Sequence, residues 1–234
     1  YFGIFANPGA INTAAAAGMS IIPQANEWTP AGVNAETIGR DNCVAWLPID
    51  EPELNAAFAT YMTSCADLKA LDDGRFLITN FCHGIRRTVY YATPTGGGST
   101  QMHDACAEND VATADQYCYT SPGIRGDNGP QGICDNANFP TLWDGTSYLW
   151  QGEYQDGAAV DKAAAYGWQA DALRSLYTDQ DLLVPIWVAV ESQMPYLTDT
   201  GRDIILYGEI RGATYSAIIH EARGLFYFQH NGFY

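Results

Sequence analysis

The sequence predicts an α/β fold of the (β/α)-barrel type, in a single domain spanning residues 1–234. Three observations carry this. Apolar runs of strand length alternate with longer runs of helix length along the chain, the pattern that right-handed βαβ crossovers produce. The clearest short runs, around Trp46 and Val188, are apolar at nearly every residue, which marks strands covered on both faces, as in parallel sheets. Seven such strands can be placed, near residues 2, 21, 46, 78, 118, 187 and 226, one short of the eight that close a TIM barrel.

Tyr1 to Asn7 is an aromatic, apolar strand stopped by Pro8-Gly9. Thr13 to Gly18 reads as a short Ala-rich helix closed by glycine, the residue suited to the left-handed position after a helix end. Met19 to Ala25 is the next strand and completes a compact βαβ unit. Ala31 to Arg40 predicts a helix leading into the strand that ends at Ile49. Glu53 to Leu71 is helical with a face of Ala, Phe, Tyr and Leu, ended by Asp72-Asp73-Gly74, and Arg75 to Phe81 is the following strand. Tyr90 to Thr100 is loop, Met102 to Ala114 carries a short helix, and Gln116 to Thr120 is a strand stopped by Ser121-Pro122-Gly123. Arg125 to Asp144 is a long Gly-, Asn- and Asp-rich loop, a candidate binding loop. Ala158 to Tyr177 is a helix with Trp168, Leu173 and Leu176 on one side. The strand Leu182 to Val190, the helix Gly208 to Arg223 and the strand Leu225 to Phe228 follow. There is no internal repeat, low-complexity tract or interdomain linker in the sequence.

A formal net charge of -16 with only two lysines argues against nucleic acid and anionic membrane surfaces as partners. No apolar run reaches transmembrane length. Fifteen tyrosines and six tryptophans serve either a large aromatic core or platforms for sugar rings. Of the six cysteines none stands in a C-x-x-C pair, which disfavours structural zinc. Cys106, Cys118 and Cys134 lie in or near the long irregular region, where a disulfide would act as a staple. The expectation is an extracytoplasmic or secreted protein with disulfide bonding; buried thiols are the alternative.

Two strands end in carboxylates. Cys43-Val44-Ala45-Trp46-Leu47-Pro48-Ile49 runs into Asp50-Glu51-Pro52, and Pro185-Ile186-Trp187-Val188-Ala189-Val190 runs into Glu191-Ser192. Acids there cannot enter the core without a large penalty, so they belong at the rim, where parallel α/β folds place their active sites. Bland readings stand beside this one. Asp50-Glu51-Pro52 also suits a helix N-terminus, and Glu191 a rim ion pair with Arg211. No G-x-S-x-G, phosphate loop or H-E-x-x-H occurs, so no cofactor and no metal are expected.

Ile49-Asp50-Glu51-Pro52 resembles the Asn-Glu-Pro that ends the fourth strand in the clan of retaining (β/α)8-barrel glycoside hydrolases, the β-galactosidase- and cellulase-like superfamily. Pro185 to Ser192 is similar to the clan's seventh-strand nucleophile segment, and Tyr207 to Phe228 resembles its last helix–strand unit. The resemblance implies a glycosidase acting on a neutral poly- or oligosaccharide, with Glu191 as nucleophile and Glu51 as acid/base, its proton affinity raised by Asp50 and Glu191. It further implies that Asn80 and His83 touch substrate, that the Tyr119 hydroxyl orients Glu191, and that Trp28, Trp143, Trp150 and Tyr227 are stacking candidates. Asp50 departs from the usual Asn, which binds the sugar 2-hydroxyl; His220-Glu221-Ala222 departs from the usual Gly. On this alignment the chain lacks the barrel's first strand and last helix, so a further segment or subunit is expected to complete the ring. The competing function is a non-catalytic carbohydrate-binding or structural barrel in a surface or virion assembly. A metal-dependent hydrolase using His83, Asp50, Glu51 and His230 is the third.

Overall fold

The structure, a computed structural model, describes residues 2–6, 10–25, 41–52, 58–71, 74–81, 105–115, 119, 163–178, 181–192 and 205–228. Seven strands and four longer helices are found there, besides a single helical turn at 105–108: β1 (Phe2–Ala6), α1 (Ala10–Ala16), β2 (Ser20–Pro23), β3 (Ala45–Trp46), α2 (Phe58–Leu71), β4 (Phe76–Phe81), β5 (Val111–Ala114), α3 (Ala164–Thr178), β6 (Ile186–Glu191), α4 (Tyr207–Ile219) and β7 (Gly224–Phe228). Strands β3 to β7 form one five-stranded sheet in sequence order, every pair parallel. Strands β1 and β2 pair in parallel as well, and two isolated parallel bridges, Ile21 to Cys43 and Gln24 to Leu47, join β2 to the start of the larger sheet. Each strand thus lies beside the next in the chain, as the predicted alternation requires.

The two sheet faces are apolar in different ways. On one, Trp46, Leu77, Phe81, Ala112, Ala114, Ile186, Val188 and Val190 merge with the buried sides of the helices. α2 contributes Phe58, Tyr61, Cys65 and Leu68, a three-and-four spacing that places one stripe against the sheet. α3 contributes Ala165, Tyr166, Ala170, Leu173 and Tyr177, and α4 Ala213 and Ala217. The opposite face carries Ile22, Ala45, Leu47, Ile78 and Val111, packed with Trp187. Alternation along a strand explains the division, since Leu77 and Ile78 fall in different clusters.

Helices α3 and α4 touch closely because Gly167 has no Cβ: one built there would lie 2.3 Å from His220 Cδ2 and 2.7 Å from Ser216 Oγ. His220 Nδ1 stands 2.6 Å from Asp171 Oδ2, and Arg174 donates to Asp171 Oδ1 at 2.8 Å. The start of α4 is closed by Glu209, whose Oε2 accepts from the Leu206 N–H at 2.7 Å, satisfying one of the donors a helix start leaves open.

One strand lies elsewhere than predicted. The fifth runs over Val111–Ala114, and Tyr119, inside the stretch Gln116 to Thr120 expected as strand, stands in a turn; within Met102 to Ala114, expected to carry a short helix, residues 105–108 are helical. Val-Ala-Thr-Ala is short and modest in hydrophobicity, but every residue is buried because strands lie on both sides. The aromatic Tyr117-Cys118-Tyr119 drew the strand assignment toward itself. Cys43, Cys65 and Cys106 are buried thiols, so Cys106 does not staple the irregular region as predicted. Cys82, Cys118 and Cys134, the helix predicted over residues 31–40 and the loop 125–144 lie outside the described residues.

Candidate functional site

At the carboxyl ends of the strands the apolar face opposite the helices turns polar. Alternation puts Asn80 of β4, beyond Ile78, on this face, and Thr113 of β5, beyond Val111. The two are register partners, and both are fully buried. Glu191 ends β6, its carboxylate meeting Tyr119 and Tyr166 of the helix-side core. Asp50 and Glu51 follow β3, the strand that pairs with β4.

Asp50 and Glu51 are tied to β4 twice. The Asn80 side-chain amide donates to Asp50 Oδ1 at 2.8 Å, and the Glu51 N–H donates to the Asn80 carbonyl at 3.0 Å. Burial pushes the Asp50 carboxyl from the ordinary 3.8 up to about 6; the Asn80 amide pulls the other way, and the neighbouring Glu51 charge adds to the rise. Asp50 thus shows the upward shift that burial gives a carboxyl. Glu51 has φ 45, a left-handed conformation that costs a non-glycine residue about 1 kcal/mol or more. Asp181 and Glu221 share that sign of φ, but they follow α3 and α4, where such a residue closes a helix. Glu51 follows a strand, so no helix end accounts for it.

Glu191 is 2 % exposed. Its Oε2 accepts the Tyr119 main-chain N–H at 2.9 Å and the hydroxyl of Tyr166 from the first turn of α3. The expectation that Tyr119 attends Glu191 is met by a different group. Its hydroxyl donates to the Glu209 carbonyl at 3.0 Å, and only its backbone reaches the acid. Tyr166 escaped the sequence reading because it sits in an Ala-rich helix, where an aromatic reads as core. Arg211 does not pair with Glu191; its guanidinium lies over the Tyr215 ring, 5.6 Å from the centroid.

The structure therefore draws Asp50, Glu51 and Asn80 together at one strand end and Tyr119 to Glu191 at another, with β4 and β5 between β3 and β6. Tyr227 stands apart. Its register partner is Val190, which belongs to the helix-side core, and its hydroxyl is 3.1 Å from Thr214 Oγ1 of α4. It faces the helices and not the polar strand ends, a consequence of strand parity at β7. His83, Trp28, Trp143, Trp150 and His230 lie outside the described residues. Among the described residues no group of three His, Cys, Asp or Glu side chains is arranged to hold a metal ion.

No protein-family model matches the chain, and no curated protein matches it. Among solved structures it is similar to a β-galactosidase from the psychrophilic Marinomonas ef1, with a TM-score of 0.41 and 17% identity, over 75% of this chain and 21% of that one. The chain thus spans about a fifth of the length of that protein.

Proposed function

We propose that this chain is the catalytic part of a retaining glycoside hydrolase acting on a neutral poly- or oligosaccharide. The observation that carries the reading is the placement of Glu51 after β3 and of Glu191 at the carboxyl end of β6, with two strands between them in one parallel sheet. In the full reading the sheet belongs to a (β/α)8 barrel, completed between β7 and β1 by a further segment or subunit. The protein works outside the cytoplasm; among the described residues no helix is long and apolar enough to cross a membrane.

In this mechanism Glu191 is the nucleophile. Its carboxylate attacks the anomeric carbon as the bond to the leaving oxygen breaks, and Glu51 gives that oxygen its proton. A water then enters, Glu51 takes a proton from it, and the glycosyl–Glu191 ester is cleaved with net retention. Glu191, buried and held by two donors, suits an acid that must stay ionised. Glu51, in a strained turn beside a second carboxyl, suits a group held at one setting. Asn80, His83, Trp143 and Trp150 are the substrate-binding residues of this proposal.

A second reading, a non-catalytic carbohydrate-binding or structural barrel, is favoured by one contact. The Asp50 carboxylate is engaged by Asn80, at a position the resemblance assigns to the sugar. Hydrolysis of a panel of neutral glycans by the wild-type chain and by Glu191→Gln decides between them. Retaining catalysis predicts loss of activity by at least about a thousandfold in the variant. Equal rates refute the nucleophile assignment, and wild-type protein that binds glycans without cleaving any supports the second reading.

A further inference from the structure

Glu191 is held by more than its strand. A buried carboxylate keeps its charge only where donors replace the water it has lost. Two donors converge on the same oxygen, Oε2: the N–H of Tyr119 and the hydroxyl of Tyr166. They come from different places, Tyr119 from the segment after β5 and Tyr166 from α3. Each is itself braced. The Tyr119 and Tyr166 rings pack at 5.0 Å between centroids, tilted by 47°. The Tyr119 hydroxyl is anchored on the Glu209 carbonyl of α4. Both rings are buried, Tyr166 fully and Tyr119 at 1 % exposure. The Tyr166 hydroxyl therefore cannot swing away without opening a core shared by three elements.

We propose that Tyr166 is a positioning residue for Glu191: its hydroxyl, with the Tyr119 N–H, clamps Oε2 and so fixes the rotation of the carboxylate. A carboxylate gripped at one oxygen by two donors from separate elements has one setting about its terminal torsion, and the direction of its second oxygen is fixed with it. A side chain that must meet an anomeric carbon in line needs that constraint, because small misplacements of a reacting group are costly. The catalytic meaning of the clamp rests on Glu191 being the nucleophile; the clamp itself does not.

The test separates the two. The full chain is labelled with [5-13C]glutamate, and the carboxyl resonance of Glu191, assigned by its loss in Glu191→Gln, is followed against pH. Tyr166→Phe keeps the ring and its packing and removes one donor from the charged form. Its Glu191 midpoint is expected at least about one pH unit above wild type, a tenfold or larger change in proton affinity. Tyr119→Phe loses the contact with Glu209 but keeps its N–H, so it is expected to leave the midpoint in place. General loosening of the core would move both. In parallel, wild type and Tyr166→Phe are exposed to 2-deoxy-2-fluoroglucosyl and 2-deoxy-2-fluorogalactosyl fluorides, and adducts are read by intact mass. A Glu191 adduct forming about tenfold to a hundredfold more slowly in Tyr166→Phe supports the positioning role. A Glu191 midpoint unchanged in Tyr166→Phe overturns the inference, as do equal labelling rates. A displaced midpoint with an adduct that forms on a residue other than Glu191 upholds the clamp and sinks the nucleophile reading.

Discussion

Replacing Asp50 by Asn is expected to stabilise the protein at neutral pH and to leave it nearly unchanged in acid. Asp50 loses its proton at about 6 in the folded chain against 3.8 ordinarily. A carboxyl with a raised folded value favours the folded state in full only below the unfolded value. That contribution is lost as pH climbs from 3.8 to about 6, and above about 7 the folded state carries the whole cost of an enclosed charge. The gap corresponds to about 3 kcal/mol at most. Since Asp50 is only partly enclosed, about 1–3 kcal/mol is expected in solution. For a chain of this size that is about 2–12 °C in Tm. Asn at this position still offers an oxygen to the Asn80 amide, which now donates to Asp50 Oδ1, so the tie to β4 is kept. Urea unfolding of both proteins from about pH 3.5 to 8 makes the comparison. The two curves should coincide at the acid end, separate between about pH 4 and 6, and run parallel above. A difference independent of pH, or a wild type more stable than the variant at pH 7, would refute the burial argument.

Three further substitutions probe the surroundings. Thr113 Oγ1 is buried without a hydrogen-bond partner, so Thr113→Val, which exchanges the hydroxyl for a methyl, is expected to be neutral or to stabilise by about 1 kcal/mol in denaturant melts; a loss above about 1 kcal/mol would show that the hydroxyl is satisfied in solution. Gly167→Ala drives a methyl into His220 and Ser216 and is expected to cost about 1–3 kcal/mol, with Tm falling accordingly; an unchanged Tm would mean that α3 and α4 can separate freely. Tyr61→Phe removes the hydroxyl that meets Thr79 Oγ1 in the core and is expected to cost about 1–3 kcal/mol, read by the same melts; no change would mean that Thr79 finds another partner.

The sheet was legible because its inner strands β4, β5 and β6 are largely buried on both faces. Such strands leave apolar runs that need no partner to be seen, and six of the seven lie where those runs predict. β5 was missed for the same physical reason turned round. Val111-Ala112-Thr113-Ala114 is flanked by β4 and β6, so its environment is made by its neighbours and its own side chains can be small. The acids at the strand ends were legible as well, because carboxylates immediately after an apolar run stand out. Their supports were not. Tyr166 reaches Glu191 across 25 positions of sequence, and nothing local distinguishes it from Tyr177, a core tyrosine eleven residues on in the same helix. The parity error at Tyr227 has a simpler origin, since one residue of register decides which face a strand side chain occupies.

The two strand-end acids differ in what holds them, and that difference bears on their proposed roles. Glu191 receives two donors, which favour an ionised carboxylate, and lies among aromatic rings, which fix its place but oppose its charge. Asp50 and Glu51 are adjacent acids, one of them enclosed and carried to about 6, the other in a left-handed turn pinned to β4 through its own N–H. A proton on Asp50 removes a negative charge from beside Glu51, so the state of Asp50 governs the field there. A site that needs one acid ionised and another protonated must push their environments apart. Donors at one strand end and a like-charged neighbour at the other are a means of doing so. Asp50→Asn removes that neighbouring charge at every pH. If hydrolysis is found, the variant's basic limb of activity should therefore begin at lower pH than wild type's. An unmoved limb would leave Asp50 as a structural tie to β4 alone.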